Sequence, residues 1–139
     1  MNDAKPVPSQ ARPTRNRLPP TRSSITHKFE IDDLDGYIIV GLYPDGRPGE
    51  VFLKMGKEGS MIGGLLDSIG ILTSIALQHG VPLERLTAKL SHVRFEPSGQ
   101  TNHEHVRFAK SVVDYVFRWL ELTFVESGRE QDGPDGTSG

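Results

Sequence analysis

Cysteine is missing from all 139 residues. That absence excludes disulfides, thiolate metal sites, iron–sulfur clusters and every cysteine-based nucleophile or radical. Long apolar runs are missing as well: none approaches the roughly 20 residues needed to cross a bilayer, and the opening MNDAKPVPSQ lacks the apolar core of a signal peptide. A cytoplasmic protein without a membrane partner is the expectation. Net charge is only −2, but its distribution is uneven. Residues 1–24 hold Lys5, Arg12, Arg15, Arg17 and Arg22 against the single acid Asp3, whereas residues 126–139 hold Glu126, Glu130, Asp132 and Asp135 against Arg129 alone.

Both ends are poor in anything to bury. Residues 1–24, MNDAKPVPSQARPTRNRLPPTRSS, carry half of the ten prolines and cannot offset the entropy of ordering themselves, so they read as a disordered basic arm. The tail at 126–139 reads as disordered, acidic and glycine-rich. Residues 25–125 are left as one domain, long enough to enclose a core.

Within it, ITHKFEI alternates apolar Ile25, Phe29 and Ile31 with Thr26, Lys28 and Glu30, the period of a half-buried strand. YIIVGLY and EVFLKM follow, each rich in β-branched or aromatic residues and separated by PDGRPG. From Ser60 to His79, Ile62, Leu65, Leu66, Ile69, Leu72 and Ala76 recur at helical spacing, which predicts a central helix closed by Gly80. Its polar stripe is narrow and made mostly of small residues: Gly63, Asp67, Gly70 and Ser74. The domain's terminal helix, or a partner, can come close there. A shorter helix is expected in PLERLTAKLSH. Thr101 and Glu104 have capping-box spacing, which predicts a long helix from there to about Leu122, with Asp114 on its outer side. The sum is an α+β domain, a three-stranded antiparallel β-meander packed against three helices.

Chemistry is harder to find. GKEGS at 56–60 precedes a helix but lacks the spacing of a phosphate loop, and a strand-to-helix turn suffices. His103 and His105 stand two apart, which on a helix puts them on different faces, so no metal site is assigned. His27, His79 and His92 are isolated in sequence and no catalytic residue is assigned either. The basic arm offers weak, nonspecific nucleic-acid contact at most, since it has no aromatic residue for stacking. Asp67, placed mid-helix in an apolar segment, calls for a partner if buried. Arg94 and Glu96 in RFEPSG are read as paired with each other or with a neighbour.

The segments RLPPTRSSITHKF, GYIIVGLYPDGRPGEVFLKMGKEGSMIGGLLDSIGILTSIALQHGVPLERL, RFEPSGQT and AKSVVDYVFRWL, in that order across residues 17–124, resemble the small C-terminal TSCPD domain of adenosylcobalamin-dependent ribonucleotide reductases. The resemblance implies reduction of ribonucleoside diphosphates through a cysteine thiyl radical in a large barrel. This chain has no cysteine for that radical, and the Thr-Ser-Cys-Pro-Asp motif that names the domain is absent. No catalytic or cofactor-binding residue carries over. The implied role is that of a non-catalytic domain or small subunit that binds a large catalytic chain, the adenosylcobalamin residing in that partner. Gly63, Asp67, Gly70, Ser74, Arg94 and Glu96 are the docking candidates. A free-standing regulatory or nucleic-acid-binding module derived from the same domain is the alternative, and an independent enzyme is the least favoured.

Overall fold

The computed structural model describes residues 14–56 and 61–127. Residues 1–13 of the arm, residues 57–60 of the phosphate-loop-like turn and most of the tail lie outside them. In chain order the elements are β1 (Ser24–Ile31), β2 (Leu34–Leu42), β3 (Pro48–Met55), α1 (Met61–Gln78), α2 (Leu83–Leu90), β4 (Gly99–His103), β5 (Val106–Ala109) and α3 (Val112–Leu120), which continues into a π-helical turn at Glu121–Glu126. The class is α+β, as expected. The meander is the first part of a five-stranded sheet ordered β3-β2-β1-β4-β5, antiparallel at every pairing.

Alternation builds the sheet. In β1, Phe29 and Ile31 are buried while Thr26, Lys28 and Glu30 are exposed, and Ile38 and Val40 of β2 and Val51 and Leu53 of β3 bury the same face. The β1–β2 turn places Asp32 at φ 51°, a left-handed conformation that Asp tolerates. Its backbone N–H donates to the Gln100 carbonyl at 2.9 Å, which ties the turn to β4.

The second half of the sheet replaces the first part of the expected long helix. Thr101 is a strand residue: its hydroxyl donates to the Val106 carbonyl across the β4–β5 hairpin and accepts from the His103 N–H at 3.0 Å. The real cap comes ten residues later, where the same Ser/Thr-x-x-Asp/Glu pattern recurs. Ser111 Oγ accepts from the Asp114 N–H at 3.0 Å, and Asp114 returns its carboxylate to the backbone N–H groups of Lys110, at 2.8 Å, and His92, at 2.7 Å. The residues after each capping pattern distinguish the two. VVDYVF supplies a continuous buried face, whereas NHEHVRF alternates and pairs as a hairpin. Asp114 is consequently 0% exposed, not on an outer stripe.

Depth is also redistributed among the helices. Val112, Val113, Tyr115, Val116, Phe117, Trp119 and Leu120 of α3 are all buried; α3 lies against the sheet, with Tyr115 on Phe29 of β1, and α2 packs on α3. The expectation of a central α1 is corrected, because α1 packs along edge strand β3 and buries only Leu66, Gly70, Thr73 and Gln78.

Residues 14–23, read in the sequence as part of the arm, lie against the domain as a strap. Asn16 donates its N–H to the Gln78 carbonyl at 2.8 Å, and its own carbonyl accepts from the Tyr43 hydroxyl at 2.5 Å. Arg22 grips Glu50 through two nitrogens, at 2.6 and 2.9 Å. Gly41 makes room for that pair, since a β-carbon there would collide with the Glu50 carboxylate. A segment without apolar residues to spare is held by backbone and charge-assisted hydrogen bonds, which hydropathy does not register.

Candidate docking surface

The small-residue stripe of α1 meets the backbone of β3. A β-carbon on Gly70 would lie 2.8 Å from the Val51 carbonyl oxygen, closer than any side chain allows without a shift. One turn on, Ser74 Oγ accepts from the Val51 N–H at 2.8 Å and donates to the Gly70 carbonyl at 2.8 Å. One turn further, Gln78 Nε2 donates to the Gly49 carbonyl at 2.9 Å, and Gln78 Oε1 accepts from Arg15 at 2.7 Å. The close approach for which the sequence suggested the terminal helix is made by this strand. Gly63 is half-buried at the start of the stripe, and Asp67 is exposed rather than enclosed, so it needs no buried partner.

The opposite side of α1 is uncovered among the described residues. Met61 is 81% exposed, Leu65 59%, Ile71 60%, Leu72 66% and Ile75 39%. At 100° per residue these fall on one side of the helix, with Gly64 and Ser68 between them. Ile71 and Ile75 continue into a cleft of about 580 Å³ beside Phe52, with Asp67, Ser74 and Arg15 on its walls. At 18 residues, α1 is long and apolar enough to cross a membrane by length and composition alone. Gly, Ser and Thr interrupt its apolar run, which is why the sequence does not read as a span. The Ser74 and Gln78 bonds to β3 build α1 into the domain.

Arg94 and Glu96 lie elsewhere, exposed in the loop ahead of β4. They are not paired with each other: Glu96 accepts from Ser98 Oγ at 3.1 Å. The structure therefore brings together Gly63, Asp67, Gly70 and Ser74 along one helix and leaves Arg94 and Glu96 apart from them.

A second cluster joins residues that are far apart in sequence. His27 Nε2 and the Tyr115 hydroxyl are 2.8 Å apart, the His27 ring stacks on Trp119 at 4.6 Å, and His103 stands edge-on to His27 at 5.8 Å. The one signal for it in the sequence is phase: His27 falls between Ile25 and Phe29 on the inner side of β1, while His103, expected on a helix, lies in β4. Burial, then the neighbouring His103, holds His27 below the usual imidazole pKa. His103 is lowered by burial and by His105, against an opposing effect of Glu104. Burial pushes Tyr115 up to about 12. Among the described residues no group of three or more His, Asp or Glu is arranged to hold a metal, and the contacts of His27 are those of a packed wall.

These shifts carry a pH signature. Above the unfolded imidazole pKa of about 6.5, both rings are neutral in either state and contribute no slope. Below it, the unfolded chain takes up protons that folded His27 and His103 resist, so stability falls with pH until the lowered folded values are passed. The melting temperature should drop between pH 7.5 and 5.5, and His27→Gln should reduce that drop. An equal drop in the variant would remove His27 as its source.

Comparison with known proteins gives a consistent answer. The model of the TSCPD domain family matches residues 9–124. A vitamin B12-dependent ribonucleotide reductase of Rhodopirellula baltica is 55% identical over 127 residues, covering 91% of this chain and 12% of the relative. One from Streptomyces avermitilis is 48% identical over 114 residues, 82% of this chain and 12% of the relative. One from Bradyrhizobium diazoefficiens is 35% identical over 112 residues, 80% of this chain and 9% of the relative. The chain thus spans a small fraction of the length of the curated relatives it matches. No solved structure matches. From β1 through α3 every element lies within the matched residues, and the chain belongs to the TSCPD domain family.

Proposed function

We propose that this chain is a non-catalytic domain or small subunit of an adenosylcobalamin-dependent ribonucleoside-diphosphate reductase, and that it works by associating with the large catalytic chain. One observation carries the reading: similarity to the named reductases runs through nearly the whole chain yet covers 12% of those from Rhodopirellula baltica and Streptomyces avermitilis, while the chain has no cysteine with which to form a thiyl radical or supply electrons. The corrin cofactor belongs to the catalytic chain in this reading. The described residues do not fit it, since His27 is engaged by Tyr115 and Trp119 and His103 Nδ1 accepts from the His105 N–H at 3.0 Å. The cytoplasm, where deoxyribonucleotides serve DNA synthesis, is the proposed location.

The rival use of the basic arm for nucleic acid loses two of its cations to the fold. Arg22 is committed to Glu50 and Arg15 to Gln78, and a guanidinium held in an internal pair is a poor phosphate ligand.

The test has two parts. Given ribonucleoside diphosphate, adenosylcobalamin and a dithiol, the purified protein alone should form no deoxyribonucleotide. Added to a reductase chain from which the matching segment has been removed, it should raise that chain's turnover or melting temperature. Turnover by the protein alone, or no effect on the catalytic chain, would sink the proposal.

A further inference from the structure

Resting on that proposed role, we infer that the uncovered side of α1, centred on Leu65 and Leu72, is the surface that meets the catalytic chain of a vitamin B12-dependent ribonucleotide reductase. Leu65 and Leu72 are 59% and 66% exposed and are flanked on the same side by Met61 and Ile75. The only charged residue of α1, Asp67, lies toward the β3 side instead. A contiguous apolar helix side with no charge in it costs solubility unless something covers it. It also matches the centre of a lasting interface, where charged residues are depleted, rather than the polar surface of a transient encounter.

Two observations identify the occupant. In the relatives this domain is about an eighth of a much longer polypeptide, so a large body belonging to the same protein is available to cover it. The strap also enters the fold at the C-terminal end of α1, where Asn16 is bonded to the Gln78 carbonyl and Arg15 to the Gln78 side chain. Polypeptide joined ahead of residue 14 therefore starts from the end of this helix. A linkage there tethers the catalytic body to the end of the helix that carries Leu72 and Ile75, and the tether raises its effective concentration at that face.

The experiment measures binding of the 139-residue protein to a reductase chain lacking the matching segment, by titration calorimetry with sedimentation of each component alone. The double variant L65D/L72D should keep the wild-type melting temperature, since both side chains are exposed, and lose affinity on the order of 100-fold, as when central apolar contacts are replaced by buried charge. L72S should show a smaller loss in the same direction and serves if the double variant unfolds. K28E, on the exposed face of β1, should bind like wild type. Undiminished binding by L65D/L72D, or an equal loss in K28E, overturns the inference and leaves the proposed function standing. Wild-type protein that fails to bind overturns both. Self-association of the wild type that L65D/L72D abolishes, with binding to the reductase unaffected, assigns the face to a second copy and overturns the occupant named here.

Discussion

Gly70→Leu is expected to lower the melting temperature of the isolated protein, whereas the same change at Gly64, six residues earlier on the same helix, is expected not to lower it. The difference lies in what each β-carbon meets. At Gly70 it meets the Val51 carbonyl oxygen at 2.8 Å, a backbone atom that cannot swing aside because Val51 is paired with Val40 and its N–H is held by Ser74. At Gly64 nothing lies within 4 Å. Forcing α1 away from β3 should cost roughly 1–3 kcal/mol as overpacking, with more if the Ser74 and Gln78 bonds part as well. For a domain of this size that corresponds to a fall of roughly 2–8 °C per kcal/mol in a thermal melt. Gly64→Ala should go the other way by up to about 1 kcal/mol, because it removes a helix-interior glycine without a clash. Equal melting of Gly70→Leu and Gly64→Leu would mean that α1 is not seated on β3 as described.

Asp114→Ala should be the most damaging single polar substitution. The carboxylate is fully buried and accepts from two backbone N–H groups, those of His92 and Lys110. It also sits 3.5 Å from the Arg118 guanidinium. Truncation leaves those N–H groups without an acceptor, at roughly 1–3 kcal/mol each. It also loosens the first turn of α3 and the α2–β4 connection together, because His92 and Lys110 lie on the two segments that the side chain joins. Urea unfolding should report a loss of about 2–5 kcal/mol. Asp114→Asn, which keeps one acceptor oxygen, should lose less. A loss under about 1 kcal/mol for Asp114→Ala would show that water replaces the carboxylate at no great cost.

The sequence disclosed the elements whose period is unambiguous and misled where two elements share a signal. Alternation in β1 and the helical spacing of α1 put both elements within a residue of their ends. Thr101 and Ser111 illustrate the opposite case. Each begins a Ser/Thr-x-x-acid pattern, and only long-range pairing of β4 with β1 through Ile31 and Thr101 shows that the first belongs to a hairpin. The small-residue stripe was legible as a close approach, but the identity of the approaching element was not. A helix and a strand edge both require missing side chains, and only the strand presents an N–H for Ser74. Local spacing likewise gave no hint that Leu65 and Leu72 stay uncovered among the described residues, because apolar residues at helical spacing look the same whether a core or a partner receives them. The strap was missed for another reason: Arg22 and Asn16 are held by Glu50 and Tyr43, twenty or more positions away in sequence.

The seating of α1 on β3 also governs how this domain can be recognised. The outward N–H of Val51 and carbonyl of Gly49 are already taken by Ser74 and Gln78, so between these two residues the border of the sheet offers no ladder to which a foreign strand could add. Augmentation by an extended peptide, and the open-ended stacking of copies that the same chemistry permits, are both blocked here by two side chains. Backbone pairing is indifferent to sequence, and an interface built instead on exposed side chains can be retuned one residue at a time. In the proposed role, changes at exposed side chains can retune the contact with the catalytic chain and leave the backbone bonds that close this border in place.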